Sequence, residues 1–97
     1  MLQVCRRYVA LNLSSTSACH AFKDAMVEML PYVDLVFGNR HEARAYAAAN
    51  QLGVHDIGDI ARQMARVTKV NGRRGRIVVI TCGRQPTVVV ENGTVRR

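Results

Sequence analysis

The stretch from Pro31 to Tyr46, PYVDLVFGNRHEARAY, runs from a short apolar segment through Gly38-Asn39 into a helix-forming segment. This order predicts a strand, a tight turn and a helix. Ligands of open α/β sheets bind at the carboxyl ends of the strands, and the free N–H groups that begin a helix favour anions. If the protein handles a phosphorylated ligand, we expect the ligand to bind here.

Size and composition indicate one folded unit. The chain has 97 residues, of which 48% are hydrophobic and 22% are charged, so it forms at most one domain and is not disordered throughout. Cys5, Cys19 and Cys82 are odd in number and form no C-x-x-C pair, which argues against a disulfide framework and a zinc site. No apolar run approaches the ~20 residues that cross a bilayer. We therefore expect a cytosolic protein.

Basic residues give the chain a formal net charge of +7. One run contains Arg62, Arg66, Lys69, Arg73, Arg74 and Arg76. Such a run attracts nucleic acid, nucleotides or acidic partners, but no aromatic residue within it could stack on a base. A solvated basic face is the simpler interpretation, and a small basic binding module is the alternative. We do not expect nucleic acid to be a partner.

The hydrophobic pattern predicts alternating strands and helices. The predicted strands are residues 8–13, 33–37, 76–81 and 87–91, and the predicted helices are residues 18–30, 40–52 and 56–67. The first helix has a predicted buried face that consists of Phe22, Ala25, Met26, Met29 and Leu30. Helices between successive strands imply right-handed crossovers and a parallel sheet, so the fold class is α/β.

Local signals set the ends of these elements. The serine and threonine cluster at residues 14–17 supplies an N-cap, Gly53 is the expected C′ residue of the second helix, and Asp56 is the expected N-cap of the third. Asn92-Gly93 predicts a hairpin whose second arm is residues 94–97. A sheet of this size leaves edges uncovered. We therefore expect the chain to belong to something larger, and its edges permit self-association.

Three blocks of the sequence stand in order: Leu11-Asn-Leu-Ser14, residues 30–43 (LPYVDLVFGNRHEA) and residues 77–84 (IVVITCGR). Their order and spacing resemble those of the adenosine kinases, members of the ribokinase-like family of sugar and nucleoside kinases. The similarity covers residues 7–95. It implies a Rossmann-like sheet in three layers. Residues 1–97 would form a partial kinase domain, ordered strand-helix-strand-helix-helix-strand-hairpin, without the lid and the C-terminal catalytic segment.

The resemblance also implies an activity: transfer of the γ-phosphate of ATP to the 5′-hydroxyl of adenosine, which gives AMP in purine salvage and requires Mg²⁺. Adenosine and ATP would be the partners of the complete kinase. Asn39 and Glu42 match the family's Asn-x-x-Glu motif, which helps to hold magnesium and its waters near the phosphates. Magnesium usually keeps several waters, so a carboxylate can act through one of them. The implied ATP-binding residues are Asn12, Asn39, Thr81, Gly83 and Arg84.

The sequence departs from the family in three places. Ser15-Thr-Ser17 replaces the family's Ala-Pro-Phe, so an aromatic residue is missing. Arg40 follows Asn39, where the family usually has an acidic residue. The Gly-Ala-Gly-Asp segment, which carries the catalytic aspartate, is absent, and Gly58-Asp59 lies in a helical pattern and does not match. We therefore name no catalytic residue and expect no kinase activity from this chain alone.

Simpler interpretations of the same residues remain open. Asn39 and Glu42 also fit a capping box, a role that can coexist with metal binding. Thr81 and Gly83 fit the end of a strand and the start of a turn. A structural remnant that is unfolded or oligomeric by itself is a further alternative. The histidines share no metal-ligand spacing, and we expect surface or helix-end positions for His20, His41 and His55.

Overall fold

A six-stranded sheet organises the computed structural model, which describes residues 2–5, 8–70 and 75–97, and its strands follow one another in chain order. The strands are β1 (Leu2–Cys5), β2 (Tyr8–Asn12), β3 (Leu35–Asn39), β4 (Ile77–Cys82), β5 (Gln85–Glu91) and β6 (Thr94–Arg96). The neighbours β2, β3 and β4 are parallel, and the other pairs are antiparallel. The sheet is therefore mixed, with the predicted parallel strands at its centre.

Strand β1 is the element that the sequence pattern did not predict. It pairs antiparallel with β2, and Val4 lies opposite Val9. Leu2 and Val4, which share one face of the strand, are 47% and 67% exposed, and Gln3 on the other face is also exposed. The strand is maintained by its pairing with β2, and the apolar pattern of so short a segment does not identify it by itself.

Helices connect the parallel strands. They are α1 (Thr16–Ala21), α2 (Lys23–Met29), α3 (Arg40–Ala49) and α4 (Ile57–Arg66), and a 3₁₀ turn covers Leu30–Tyr32. Right-handed crossovers between adjacent parallel strands place their helices on one side of the sheet. The strand residues buried against them are Leu11, Val36, Val78, Ile80, Val88 and Val90. Among the described residues, no helix is long and apolar enough to span a bilayer.

The other face of the sheet is not covered by the described helices. Phe37 is 41% exposed, and Leu35, Ile77 and Val79 are only partly buried. The α/β class, the parallel centre and the C-terminal hairpin are confirmed. The second helical layer of the expected three-layer arrangement is not found in residues 2–5, 8–70 and 75–97.

The predicted helix over residues 18–30 is interrupted at Phe22, where φ is −114° and ψ is 26°. Because this residue leaves the helical conformation, its own side chain no longer shares a face with Met26 and Leu30. Phe22 is 54% exposed and Ala25 is also exposed, so both predictions of burial are wrong. Met26 and Leu30 are buried as predicted.

The end of α3 differs from the predicted glycine cap. Gln51, with φ of 53°, takes the left-handed C′ position instead of Gly53. The N–H of Gln51 donates to the Ala48 carbonyl at 3.2 Å, and the N–H of Leu52 donates to the Ala47 carbonyl at 3.0 Å. These two bonds define a Schellman motif. The helix ends before Gly53 because this motif already satisfies its last carbonyl groups.

Two predicted turn and cap signals are confirmed. Asp56 caps α4, and its side chain accepts a hydrogen bond from the N–H of Asp59 at 3.2 Å. Asn92 and Gly93 both have positive φ, 52° and 77°, between β5 and β6. Positive φ at both central residues is the requirement of a type I′ turn, the common turn of two-residue hairpins.

Arg76 is buried, with 2% of its surface exposed, so its predicted position on a solvated basic face is wrong. Its Nε donates to the carbonyl of Val33 at 3.0 Å, and its Nη2 donates to the carbonyl of Leu30. Its Nη1 donates to the carbonyls of Met64 and Val67, at 2.8 Å each. Carbonyl groups at a helix end lack helical partners and carry partial negative charge, which compensates the buried guanidinium.

The rest of the basic run does not form one face either. Lys69 forms an ion pair with Asp34, and the two side chains are only 7% and 11% exposed. Asp34 also accepts a hydrogen bond from the N–H of Val9 at 2.9 Å. Arg73 and Arg74 lie outside the described residues. The whole run therefore cannot act as one basic binding surface, because Arg76 and Lys69 are engaged in contacts in the interior of the fold.

Candidate functional site

The carboxyl ends of β2, β3 and β4 lie side by side at one edge of the sheet. Asn39, the last residue of β3, pairs in register with Thr81 of β4, and Asn12 is the last residue of β2. An open depression of about 350 Å³ lies at this edge. It is lined by Asn12, Ser14, Phe37, Gly38, Asn39, Glu42 and Thr81. Four of the six residues that the sequence singled out therefore come together.

Asn39 and Glu42 form a capping box at the start of α3. Oδ1 of Asn39 accepts from the N–H of Glu42 at 2.8 Å, and Oε1 of Glu42 accepts from the N–H of Asn39 at 3.0 Å. No fully buried side-chain oxygen of the described residues lacks a hydrogen-bond partner. Oε2 of Glu42, which has no recorded partner, therefore reaches solvent where Glu42 lines the depression. The box holds one carboxylate oxygen and leaves the other available.

Asn12 ends β2 in a side-chain turn. Its Oδ1 accepts from the N–H of Ser14 at 2.8 Å, and the hydroxyl of Ser14 donates to the Asn12 carbonyl at 3.2 Å. The left-handed φ of Ser14, 71°, belongs to this turn. Because the turn uses the side-chain oxygen of Asn12, its amide NH₂ is the group left for a ligand, and that group donates to acceptors such as phosphate oxygens.

Gly38 brings the backbone of β3 close to β2. A Cβ atom at this position would lie 2.6 Å from Cδ1 of Leu13, a side chain that is fully buried. The turn predicted at Gly38-Asn39 is wrong, because both residues continue β3 and α3 begins at Arg40. The extended backbone of Asn39 serves directly as the N-cap, so the strand passes into the helix without a separate turn.

The candidate residues of the third sequence block, residues 77–84, lie in two different places in the structure. The hydroxyl of Thr81 lies 3.5 Å from the Gly38 carbonyl and borders the depression. Gly83, with φ of 62°, and Arg84 lie in the exposed turn between β4 and β5 and do not line the depression. Cys82 is a small core residue, and both Cys82 and Cys19 are free thiols.

Cys19 lies in the core next to the site and contacts the backbone of Glu42. The sequence did not predict this contact. The Sγ of Cys19 lies 3.5 Å from the carbonyl of Glu42 and 3.8 Å from the carbonyl of Leu13. Burial, and secondly the negative charge of Glu42, raise the pKa of this thiol to about 11. The thiol is therefore protonated at neutral pH and acts as a weak donor. In the sequence it is only one apolar position of a helix.

The donor set of the depression fits magnesium held partly through water. Glu42 is its single carboxylate, accompanied by amide and hydroxyl groups. Magnesium usually takes one or two carboxylates and keeps several waters. In the part of the chain that the structure describes, no group of three or more His, Cys, Asp or Glu residues could hold a metal ion by itself. The histidines are exposed, as predicted: His20, His41 and His55.

The sequence pattern of the pfkB family carbohydrate kinases matches residues 1–97. The chain belongs to this family. Adenosine kinases 1 and 2 of Arabidopsis thaliana are each 39% identical over 87 residues, which cover 90% of this chain and 25% of theirs. Adenosine kinase of Schizosaccharomyces pombe is 38% identical over 85 residues, 88% of this chain and 25% of that one. The chain thus spans about a quarter of the length of these curated relatives.

Solved adenosine kinases of the pfkB family share the fold. The Anopheles gambiae enzyme, solved in complex with P1,P4-di(adenosine-5) tetraphosphate, superposes with a TM-score of 0.84 at 39% identity, over 88% of this chain and 26% of that one. The Schistosoma mansoni enzyme with adenosine and AMP gives 0.80 at 29% identity, over 90% of this chain and 27% of that one. The ribokinase-like fold expected from the sequence is confirmed.

Proposed function

We propose that this chain forms one wall of the ATP and magnesium site of an adenosine kinase, which transfers the γ-phosphate of ATP to the 5′-hydroxyl of adenosine. The observation that carries the proposal is the convergence of Asn12, Asn39, Glu42 and Thr81 on one depression at the carboxyl ends of three parallel strands. The similarity to adenosine kinases over about nine-tenths of the chain supports the choice of reaction. We place the reaction in the cytosol, in purine salvage.

Each residue has a role that its chemistry allows. The available oxygen of Glu42 accepts a hydrogen bond from a magnesium-bound water or contacts the ion. The NH₂ groups of Asn12 and Asn39 and the hydroxyl of Thr81 donate to phosphate oxygens, as do backbone N–H groups at the start of α3. Magnesium, when bound, would offset the negative charge of the phosphates. Asn39 thus serves both the capping box and the nucleotide, through different atoms.

Gly83 and Arg84 extend this wall in the proposal. The glycine lets the backbone of the β4–β5 turn approach ATP, and the guanidinium of Arg84 is exposed and able to contact a phosphate. No residue of this sequence takes the proton of the adenosine hydroxyl, because the Gly-Ala-Gly-Asp segment is absent. The proposal assigns that step and the substrate lid to residues outside this sequence.

A chimaera tests the proposal. Residues 8–97 replace the matched quarter of the Anopheles gambiae enzyme, and formation of AMP from adenosine is measured at several magnesium concentrations. We expect Glu42→Gln in the chimaera to lower kcat and to raise the magnesium requirement by about 10- to 100-fold, as losses of groups that orient a metal typically do. Glu28→Gln makes the same chemical change at an exposed position of α2 and is the control.

The result that would contradict the proposal is specific. If the chimaera is active and Glu42→Gln matches Glu28→Gln in kcat and magnesium dependence, the carboxylate has only its capping role. A chimaera that folds but forms no AMP at any magnesium concentration would show that this chain cannot form the nucleotide wall of an adenosine kinase.

A further inference from the structure

A second cavity, of about 240 Å³, lies between α3, the start of α4 and the β4–β5 hairpin. It shares no lining residue with the depression at Asn39 and Glu42. Arg40 and Arg44 of α3 and Arg97 form its basic walls, and the side chains of Ile57 and Val88 contribute an apolar part. The cavity is therefore a separate feature on the side of the sheet that the helices cover.

The cavity has an excess of positive charge. Its three arginines face one carboxylate, that of Asp56. That carboxylate is already engaged, because its Oδ2 accepts from Nη2 of Arg97 at 3.0 Å and from the N–H of Asp59 at 3.2 Å. Hydrogen bonding to Arg97 is the main reason that the pKa of Asp56 is lowered, so the group is ionised at neutral pH and remains bound to Arg97. It does not neutralise the two arginines of α3.

Arg40 and Arg44 have no carboxylate partner within residues 2–5, 8–70 and 75–97. Their positions are also unfavourable for cations. Arg40 is the first residue of α3, where the helix dipole opposes positive charge, and the two guanidinium groups are four residues apart on one helix, where like charges repel. A bound anion would remove both penalties.

We propose that Arg40 and Arg44 bind a small multivalent oxyanion in this cavity, either a phosphate compound or a polycarboxylate. Guanidinium groups bind both kinds of oxyanion through paired N–H donors. The cavity is smaller than the ~300–1,000 Å³ of pockets for drug-sized ligands, which favours a small ion over a nucleotide. The site is independent of the proposed ATP and magnesium site.

Titration of the full 97-residue chain at constant ionic strength tests this proposal. The probes are inorganic phosphate, pyrophosphate and citrate, with chloride as the monovalent reference, and the readouts are calorimetry and NMR of the backbone amides. We expect pyrophosphate or citrate to bind at least about tenfold more tightly than chloride, because the paired contacts need a multivalent oxyanion. Shifts are expected at Cys82, Gln85 and Val88, which line this cavity, and they should disappear in a variant that lacks Arg40 and Arg44. Shifts at Asn12 or Thr81 would report phosphate at the proposed nucleotide site and should persist in that variant. Comparing the probes distinguishes a phosphate source from a carboxylate source.

A matched pair of double variants completes the test. R40A/R44A should weaken binding by about tenfold or more through loss of both guanidinium groups. R62A/R66A removes the same charge at the same spacing on α4, outside the cavity, and should bind like the unchanged chain. Alanine favours helix, so both variants should keep the helical circular dichroism. Equal losses in the two variants, shifts at Cys82, Gln85 and Val88 that persist in R40A/R44A, or no difference between multivalent anions and chloride at these residues would each overturn the proposal.

Discussion

The guanidinium of Arg76 donates from Nε to the main-chain carbonyl of Val33 at 3.0 Å, across 43 residues of sequence. Its Nη1 reaches the end of α4 and its Nη2 donates to the carbonyl of Leu30, so one buried side chain joins the start of β4, the segment before β3 and the last turn of a helix. The contact is structural, and it lies at the opposite end of the strands from the candidate site. It leads to a prediction about stability alone.

Arg76→Met should destabilise the fold strongly. The change removes the guanidinium donor from the carbonyls of Val33 and Val67, and a buried carbonyl without a donor costs about 1–3 kcal/mol. The carbonyls of Leu30 and Met64 lose one of two donors, because each also accepts from a backbone N–H. We expect a loss of about 3 kcal/mol or more in the free energy of unfolding, measured by urea denaturation. Arg76→Lys should lose most of this too, because one ammonium group cannot reach both segments. The exposed Arg66→Met is the control, and an equal urea midpoint for the two methionine variants would contradict the prediction.

Asn39→Ala should reduce stability modestly. It removes the side-chain acceptor for the N–H of Glu42, and loss of an N-cap typically costs about 1 kcal/mol. Asn39→Asp keeps an acceptor at that position and should keep most of the stability, as judged by thermal unfolding. In the chimaera, however, it replaces an NH₂ donor near the phosphates with a negative charge. If Asn39→Asp were as active as the asparagine form, the proposed contact of its amide with phosphate would be wrong.

The stability of the fold should fall between about pH 9 and pH 11 because of Cys19. The folded state raises the pKa of this thiol from 9.0 to about 11, so above pH 9 the unfolded chain loses the proton first, and this deprotonation stabilises the unfolded state relative to the folded state. The contribution is complete below pH 9 and is lost by about pH 11. Unfolding in urea at several pH values should show a weaker dependence in Cys19→Ala than in the unchanged chain. Parallel pH curves for the two proteins would contradict this assignment.

The chain alone should have no measurable kinase activity. Phosphoryl transfer depends on positioning and on charge stabilisation around the reacting groups, and the depression supplies only part of either. The purified chain should form no AMP above background from adenosine, ATP and magnesium, whereas the active chimaera serves as the positive control. Turnover above background that copurifies with the chain would refute this prediction.

Local sequence was a good guide wherever neighbouring residues decide the structure. The β-branched run at residues 77–81, the cap at Asp56 and the Asn92-Gly93 turn depend on backbone preferences and on bonds that reach three residues at most. Local sequence was a poor guide to β1, which forms because β2 supplies a pairing partner. It was also a poor guide at Phe22, where a break in the helix leaves the side chain exposed. Those outcomes depend on packing between distant segments.

The candidate site shows the same difference between features set by neighbouring residues and features set by distant segments. The sequence by itself determined the capping box, because Asn39 and Glu42 are three residues apart and satisfy each other's N–H groups within one helical turn. Only the tertiary structure placed Asn12 and Thr81 beside them, through the parallel register of three strands. It also decided that Arg76 is buried, because its carbonyl partners lie 9 to 46 residues away in sequence. Long-range pairing and burial fix these positions, and no local preference specifies them.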